Sequence, residues 1–287
     1  MAMDDLYVVF SMDCERIAEY SPPGGPKNWF ESRSSIENFI DTLGSYGFKA
    51  TFFIVPETAR EHRDLFLEAR RKGFELGLHY HPQSFRDGRW KGYLASYSYD
   101  DQLHQLREAL KDWVEYLGFN PRCFRPGNFS ANKDTYRAVH SLGFREGSCY
   151  IPGRVRPEWY ALWSDASPYP HHIEGMDFLD IPVTADLRIK PKLGDPPHLR
   201  IELGNLDYLK VILSWWIHHL SSIDKPLKTV VVMTHNTIDY GKGVEGRMRL
   251  EGLIQALSEE AEKIGFTLRP STLRDIHEIA DQLEYQI

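Results

Sequence analysis

The sequence predicts one α/β domain in which strands alternate with helices as a βα sheet or barrel, and three observations carry that expectation. The first is the opening apolar run Leu6-Tyr7-Val8-Val9-Phe10-Ser11-Met12, short and continuous, as a parallel sheet covered on both faces demands. The second is a recurring Gly-Phe, at 47–48, 73–74, 118–119, 143–144 and 265–266. Glycine just past a helix takes the left-handed conformation that closes it, and the apolar residue after it packs back on the last turn. Each Gly-Phe therefore marks a helix-to-strand junction. The third is size: 287 residues, 42% of them hydrophobic, can bury the core of one barrel-sized domain spanning 1–287.

The first strand ends on Asp13-Cys14-Glu15. Side chains alternate across a strand, so Asp13 and Glu15 share a side while Cys14 faces away. Two neighbouring carboxylates repel unless a cation, a proton or an arginine separates them. Ser34-x-x-Glu37 reads as a capping box for a helix whose apolar face is Ile36, Phe39, Ile40 and Leu43. A second helix is expected over about 57–72. Ser98-x-x-Asp101 opens a longer one, with Leu103, Leu106, Leu110, Trp113 and Leu117 at helical spacing. Further helices are expected at about 133–142, 206–220, 246–264 and 272–283. Strands are expected between them at 50–55, 75–78, 123–124, 145–148, 178–183, 229–233 and 267–268. The stretch 151–177, rich in Pro, Trp, Tyr and His, is too long for a connector and reads as a functional loop or small excursion over one face.

The chemistry-bearing residues all fall just past a predicted strand, where βα folds gather their chemistry. Asp13 and Glu15 end the first strand; His79 and His81 follow 75–78, Arg125 follows 123–124, and His235 follows 229–233. In a barrel these ends converge. His79-Tyr80-His81-Pro82 can turn two imidazoles toward one divalent ion beside a carboxylate, or be structural. A guanidinium at 125 can hold a carboxylate ionised as a base, or make an ordinary salt bridge. Pro126-Gly127-Asn128 forces a tight turn that could aim backbone N–H groups at an oxyanion, at Asn128. His235, emerging from a buried run, suits a general acid; a satisfied structural histidine is the alternative. The pairs His171-His172 and His218-His219 are left out of the site.

Bulk properties narrow the partners. A net charge of -7 without a run of Lys and Arg argues against nucleic acid. Cys14, Cys123 and Cys149 lack CxxC spacing and read as reduced thiols. The start, Met-Ala-Met-Asp-Asp, lacks the basic residues and apolar core of an export signal, and no run approaches the ~20 apolar residues of a membrane span. The expectation is a cytoplasmic protein without a transmembrane segment.

Taken together, these stretches resemble the polysaccharide deacetylase superfamily, the chitooligosaccharide deacetylase-like domain of carbohydrate esterases. Phe10-Ser11-Met12-Asp13 with its second acid is similar to the first family motif, and Ala50-Thr51-Phe52-Phe53-Ile54 to its second strand. Glu75 to Pro82 resembles the histidine motif, Phe124-Arg125-Pro126-Gly127 the arginine motif, and Val232-Met233-Thr234-His235 the closing histidine motif. The resemblance implies a distorted (β/α) barrel with about seven parallel strands, and metal-assisted hydrolysis of an amide on an amino sugar. It implies Asp13 as general base, Arg125 orienting it, and His235 protonating the leaving amine. Glu15, His79 and His81 would hold a divalent metal, expected to be zinc, with cobalt, nickel or manganese as alternatives. The sequence departs from the pattern in three places. Cys14 stands where the family puts its metal carboxylate, which moves that role to Glu15. Gln83 stands four beyond His79, where the second imidazole is usual. The motif before the last histidine is matched only loosely, around Asp180 or Asp186.

Aromatic residues crowd the loops after the strands, and Trp90 and Tyr93 are expected to stack on a sugar face, with ordinary loop packing as the alternative. The expected substrate is an intracellular glycan precursor, a nucleotide- or lipid-linked amino sugar losing an N-acetyl or N-formyl group on the way to a surface polysaccharide. Two rivals stand beside it: a metal-independent, allantoinase-like hydrolase of small cyclic amides, and a catalytically inactive carbohydrate-binding relative.

Overall fold

The opening apolar run forms a strand, β1 (Asp5–Cys14), and the alternation of its side chains decides which residues face the helices and which face the barrel interior. The computed structural model describes residues 4–21 and 24–283, so the first three residues of the export argument lie outside the described residues. After β1 come α1 (Trp29–Ser45), β2 (Ala50–Ile54), α2 (Pro56–Glu61), α3 (Arg63–Arg71), β3 (Glu75–Tyr80), α4 (Tyr99–Leu117), β4 (Cys123–Pro126), α5 (Lys133–Ser141) and β5 (Glu146–Gly147). The excursion at 151–177 folds as a small antiparallel hairpin, β6 (Val155–Arg156) with β7 (Ala161–Leu162), and then β8 (His171–His172). The chain closes with β9 (Leu179–Asp180), α6 (Leu206–Ser221), β10 (Lys228–His235), α7 (Glu245–Ile264), β11 (Thr267–Pro270) and α8 (Leu273–Gln282).

Seven of these strands lie parallel in the order β10-β1-β2-β3-β4-β5-β9, with β8 antiparallel at the edge and β11 parallel beside the start of β1. The ring curls toward closure without a regular last pair. Between β9 and β10, Thr184 donates its backbone N–H to Val231 O at 3.1 Å, and Met233 accepts from Ile201 N at 3.0 Å and donates to Leu199 O at 2.9 Å. Irregular backbone thus fills the gap, giving the distorted barrel expected.

The two faces of β1 separate as alternation requires. Val8, Phe10, Met12 and Cys14 join the outer core with Ile36, Phe39, Ile40 and Leu43 of α1, whereas Val9 lies inside the barrel with Phe53, Cys123 and Val231. Leu273, Ile276 and Ala280 of α8 fill that interior from the strands' starting end. Each large side chain buried this way is worth roughly 1.5–3 kcal/mol. The plugged end leaves chemistry to the other.

Two helices differ from the sequence expectation. The first begins six residues earlier than the capping box at Ser34. Asn28 takes the cap by accepting from Glu31 N at 2.8 Å, and Ser34 lies inside the helix, bonded to Asn38 one turn on. The predicted helix at 57–72 breaks at His62, whose ring is buried against Ser32 Oγ (3.0 Å) and the edge of Trp29. Anchoring that ring bends the backbone out of helical geometry.

Candidate active site

The sheet register itself assembles the site. Asp13 at the end of β1 stands opposite His235 at the end of β10, and His79 on β3 stands opposite Arg125 on β4. Arg125 is fully buried, yet its fork is almost fully engaged. Nη1 donates to Asp13 Oδ1 at 2.6 Å, Nη2 to Ser11 Oγ at 3.0 Å and Ser148 Oγ at 2.9 Å, and Nε to Ser148 O at 3.1 Å. The guanidinium also lies 4.2 Å over the Phe53 ring. Burial alone would raise the pKa of Asp13. Arg125, His79 and His235 together outweigh it and hold the carboxyl below its ordinary value. Asp13 is therefore an anion whose Oδ1 is occupied and whose Oδ2 faces the two imidazoles, 3.9 Å from His79 Nε2 and 3.8 Å from His235 Nε2.

The second carboxylate has different company. Glu15 Oε1 lies 3.2 Å from His79 Nε2 and 2.9 Å from His81 Nε2, and the two ring nitrogens are 3.1 Å apart. His79 Nδ1 is 2.8 Å from Arg125 O, which accepts but cannot donate, so the proton is on Nδ1 and Nε2 offers a lone pair inward. A carboxylate oxygen and two imidazole nitrogens converging within 4.8 Å, all buried, repel one another unless a proton or cation lies between. Burial opposes ionisation of Glu15, but His81 and His79 hold its carboxyl well below the usual range. This donor set suits a borderline divalent ion and leaves positions open for water or substrate. Gly127 backs it: a Cβ there would lie 2.3 Å from His81 Nδ1. Of the two candidates for the second histidine position, His81 is in the cluster; Gln83 does not line the cavity.

His235 is oriented by a residue that sequence reasoning missed. Its Nδ1 lies 2.5 Å from Glu202 Oε1, and Glu202 also accepts from Thr234 Oγ1 at 2.9 Å and Arg200 Nε at 2.7 Å. Burial acts against ionisation, yet His235 and Arg200 bring the Glu202 carboxyl down to about 2. That anion fixes the Nδ1–H tautomer and turns Nε2 toward Asp13. The only sequence signal was the alternating Leu199-Arg200-Ile201-Glu202-Leu203, whose 199–201 portion pairs with β10. Asp180 and Asp186, expected in this region, are elsewhere: Asp180 accepts from Tyr136 and Cys149, and Asp186 from Arg188.

Residues 25–147 match the family model described as polysaccharide deacetylase, a segment that contains His79, His81 and Arg125. The matched segment is 123 of the chain's 287 residues. No curated protein matches the sequence. Among solved structures, one assigned as a polysaccharide deacetylase from Pseudomonas aeruginosa PAO1 shares 16% identity at a TM-score of 0.66, covering 98% of this chain and 92% of that one. Another so assigned, from Mycobacterium smegmatis, shares 14% at 0.61 over 98% and 92%. The Puue allantoinase shares 14% at 0.61, over 96% of this chain and 90% of that chain.

In this deacetylase-like chain the mouth of the barrel holds a cavity of about 180 Å³ lined by Asp13, Glu15, His79, His81, Asn128 and His235. Asn128 sits there as expected, with φ of 55°, and Phe129 after it also takes a left-handed φ of 56°, a strained conformation for a phenylalanine. The roof comes partly from the 151–177 excursion, expected over one face, and partly from a stretch that was not foreseen. Arg154 and Trp159 come from the hairpin, and Asp195 and Arg200 from the stretch after β9. Buried Arg154 joins the layers, bonding Asn128 O at 3.2 Å and Asp195 Oδ2 at 3.0 Å. Trp90 and Tyr93 correct the sequence reading, since neither lines the cavity. Trp90 packs edge-on to Tyr97 and lines a separate depression with Phe85, Arg86 and His104, because its loop must cover the flank of α4. Trp159 and Phe129 are the aromatic residues that line the cavity.

Proposed function

We propose that the protein is a metal-dependent hydrolase that removes an N-acetyl or N-formyl group from an amino sugar, in a nucleotide- or lipid-linked glycan precursor inside the cell. The observation that carries this reading is the division of labour between two carboxylates two residues apart. Asp13 is held ionised by an arginine and so is free of the metal-type cluster, whereas Glu15 belongs to that cluster with His79 and His81.

Bound there, a divalent ion would lower the pKa of water toward ~7 and polarise the acyl oxygen. The chain's own groups do the rest. Asp13 Oδ2, the oxygen Arg125 leaves free, takes a proton from the attacking water. His235, carrying a proton on Nε2 as well as the Nδ1–H that Glu202 holds, gives the Nε2 proton to the amine nitrogen as the C–N bond breaks, so amide and water become carboxylate and amine. The turn at Asn128 supports the developing oxyanion through its backbone N–H. Trp159 offers the sugar a face.

A second reading is favoured by the size of the cavity, since about 180 Å³ is smaller than the ~300 Å³ at which ligand pockets begin. A small cyclic amide hydrolysed without metal would fit it, and the fold is shared with an allantoinase. Metal analysis of the purified protein, with an acetate- and formate-release screen over N-acyl amino sugars before and after chelation, separates the two. Release that chelation abolishes and zinc restores supports deacylation. Undiminished hydrolysis of a cyclic ureide in the chelated protein would overturn it. An inert protein whose sugar binding is unchanged by Asp13→Asn is instead a binding relative.

A further inference from the structure

Four of the molecule's exposed large apolar side chains lie on two segments that also line the cavity mouth. Tyr160 and Leu162 on the β6–β7 hairpin, and Ile189 and Leu193 on the stretch after β9, are each more than half exposed. The two segments are bonded to each other, because Val155 N and Gly194 N each donate to the other's carbonyl at 2.8 Å. Both also line the cavity, through Arg154 and Trp159 on one and Asp195 on the other. The β1–α1 connection, which lines it with Gly24, carries Phe30 at 81% exposure.

Charge is interleaved with these side chains. Residues 154–162 and 186–195 hold five cations against three anions in a chain of net charge -7. In Arg188-Ile189-Lys190-Pro191-Lys192-Leu193 basic and aliphatic residues alternate, and Ile189, Lys190, Lys192 and Leu193 are all exposed. Aliphatic tips among lysines match a bilayer interface, apolar groups reaching the acyl boundary and ammonium groups the phosphates. A self-contact through this patch would set lysine against lysine.

We propose that this rim, 155–162 with 187–194, docks on an anionic lipid surface and holds the cavity mouth against the headgroups, from which a lipid-linked sugar enters. The identity of the substrate rests on the deacylase reading above; the membrane contact does not. The test is co-sedimentation of the full chain with phosphatidylcholine vesicles, with and without phosphatidylglycerol. Binding only to the anionic vesicles, weakened by salt, is expected. Lys190→Glu/Lys192→Glu and Ile189→Ser/Leu193→Ser should each weaken it about tenfold or more while leaving the thermal midpoint unchanged. No sedimentation with anionic vesicles, sedimentation that both variants retain, or a solution dimer that Leu193→Ser dissolves would each overturn the proposal. Vesicle binding by a protein that releases no acyl group leaves docking standing and sinks the deacylase reading; acyl release from a soluble sugar without vesicle binding does the reverse.

Discussion

At the scale of single residues, Arg125 and Glu202 do the same work for different partners: Arg125 is buried and Glu202 largely so, both are charged, and each holds one functional group in one state. Replacing Arg125 with leucine strands the Asp13 carboxylate in a closed site, and losing one partner of a buried pair costs about 3–5 kcal/mol. Urea denaturation of Arg125→Leu should show a loss of that size, and turnover should fall by about 10²-fold or more. Arg125→Lys should recover part of the stability and little of the rate, because a point charge cannot bond Asp13, Ser11 and Ser148 together. Glu202→Gln leaves a side chain of the same shape beside His235 Nδ1 but no anion to fix its tautomer. A drop in kcat of roughly 10²-fold with KM nearly unchanged is expected; unchanged kcat would remove Glu202 from the catalytic account.

At the scale of elements, two close approaches set what the strands can do. Gly127, at the β4 turn, makes room for the His81 ring, so Gly127→Ala must push the ring aside. Titration calorimetry of zinc into the apo variant should show affinity weaker by about 10–100-fold, the usual effect of disturbing a ligand's support. The other approach is at the plugged end, where Glu75 on β3 accepts from Thr51 Oγ1 at 2.7 Å and from the first backbone N–H of α8, at Leu273, at 2.9 Å. Burial, and then the nearby Glu146 charge, push its carboxyl up to about 7 from the usual 4.5. Across that window the folded chain holds a proton the unfolded chain has released. The resulting stability, about 3 kcal/mol, is complete below about pH 4.5 and lost as pH rises through 7. Thermal melts between about pH 5 and pH 8 should show this decline, and Glu75→Gln should flatten it.

At the scale of the whole molecule, the site is a product of curling. The cluster of Glu15, His79 and His81 joins residues more than sixty positions apart, and a ligand that binds only this folded arrangement must stabilise the entire barrel. Zinc at a thousandfold its dissociation constant should add about 4 kcal/mol, read as a rise in thermal midpoint that chelation reverses. A midpoint insensitive to zinc, cobalt and manganese alike would speak against a metal there, whatever the activity. Among the described residues no helix is long and apolar enough to cross a membrane.

Much of this was legible in the chain because it depends on local physics. A continuous apolar run, a glycine after each helix and a two-residue alternation are properties of neighbours in sequence. They located the barrel strands, and the placement of Asp13, Glu15, His79, Arg125 and His235 at strand ends followed. Position 34 misled because a capping pattern inside a helix looks the same as one at its start. What tertiary structure alone decided was partnership across distance that no motif named: Glu202 rather than Asp180 or Asp186 behind His235, Arg154 tying Asn128 to Asp195 over the mouth, and Trp90 packed on Tyr97 away from it. Periodicity is blind to such choices. They are made by the curl of the sheet and by loops returning over its rim, where nothing in the spacing of residues records which side chains will meet.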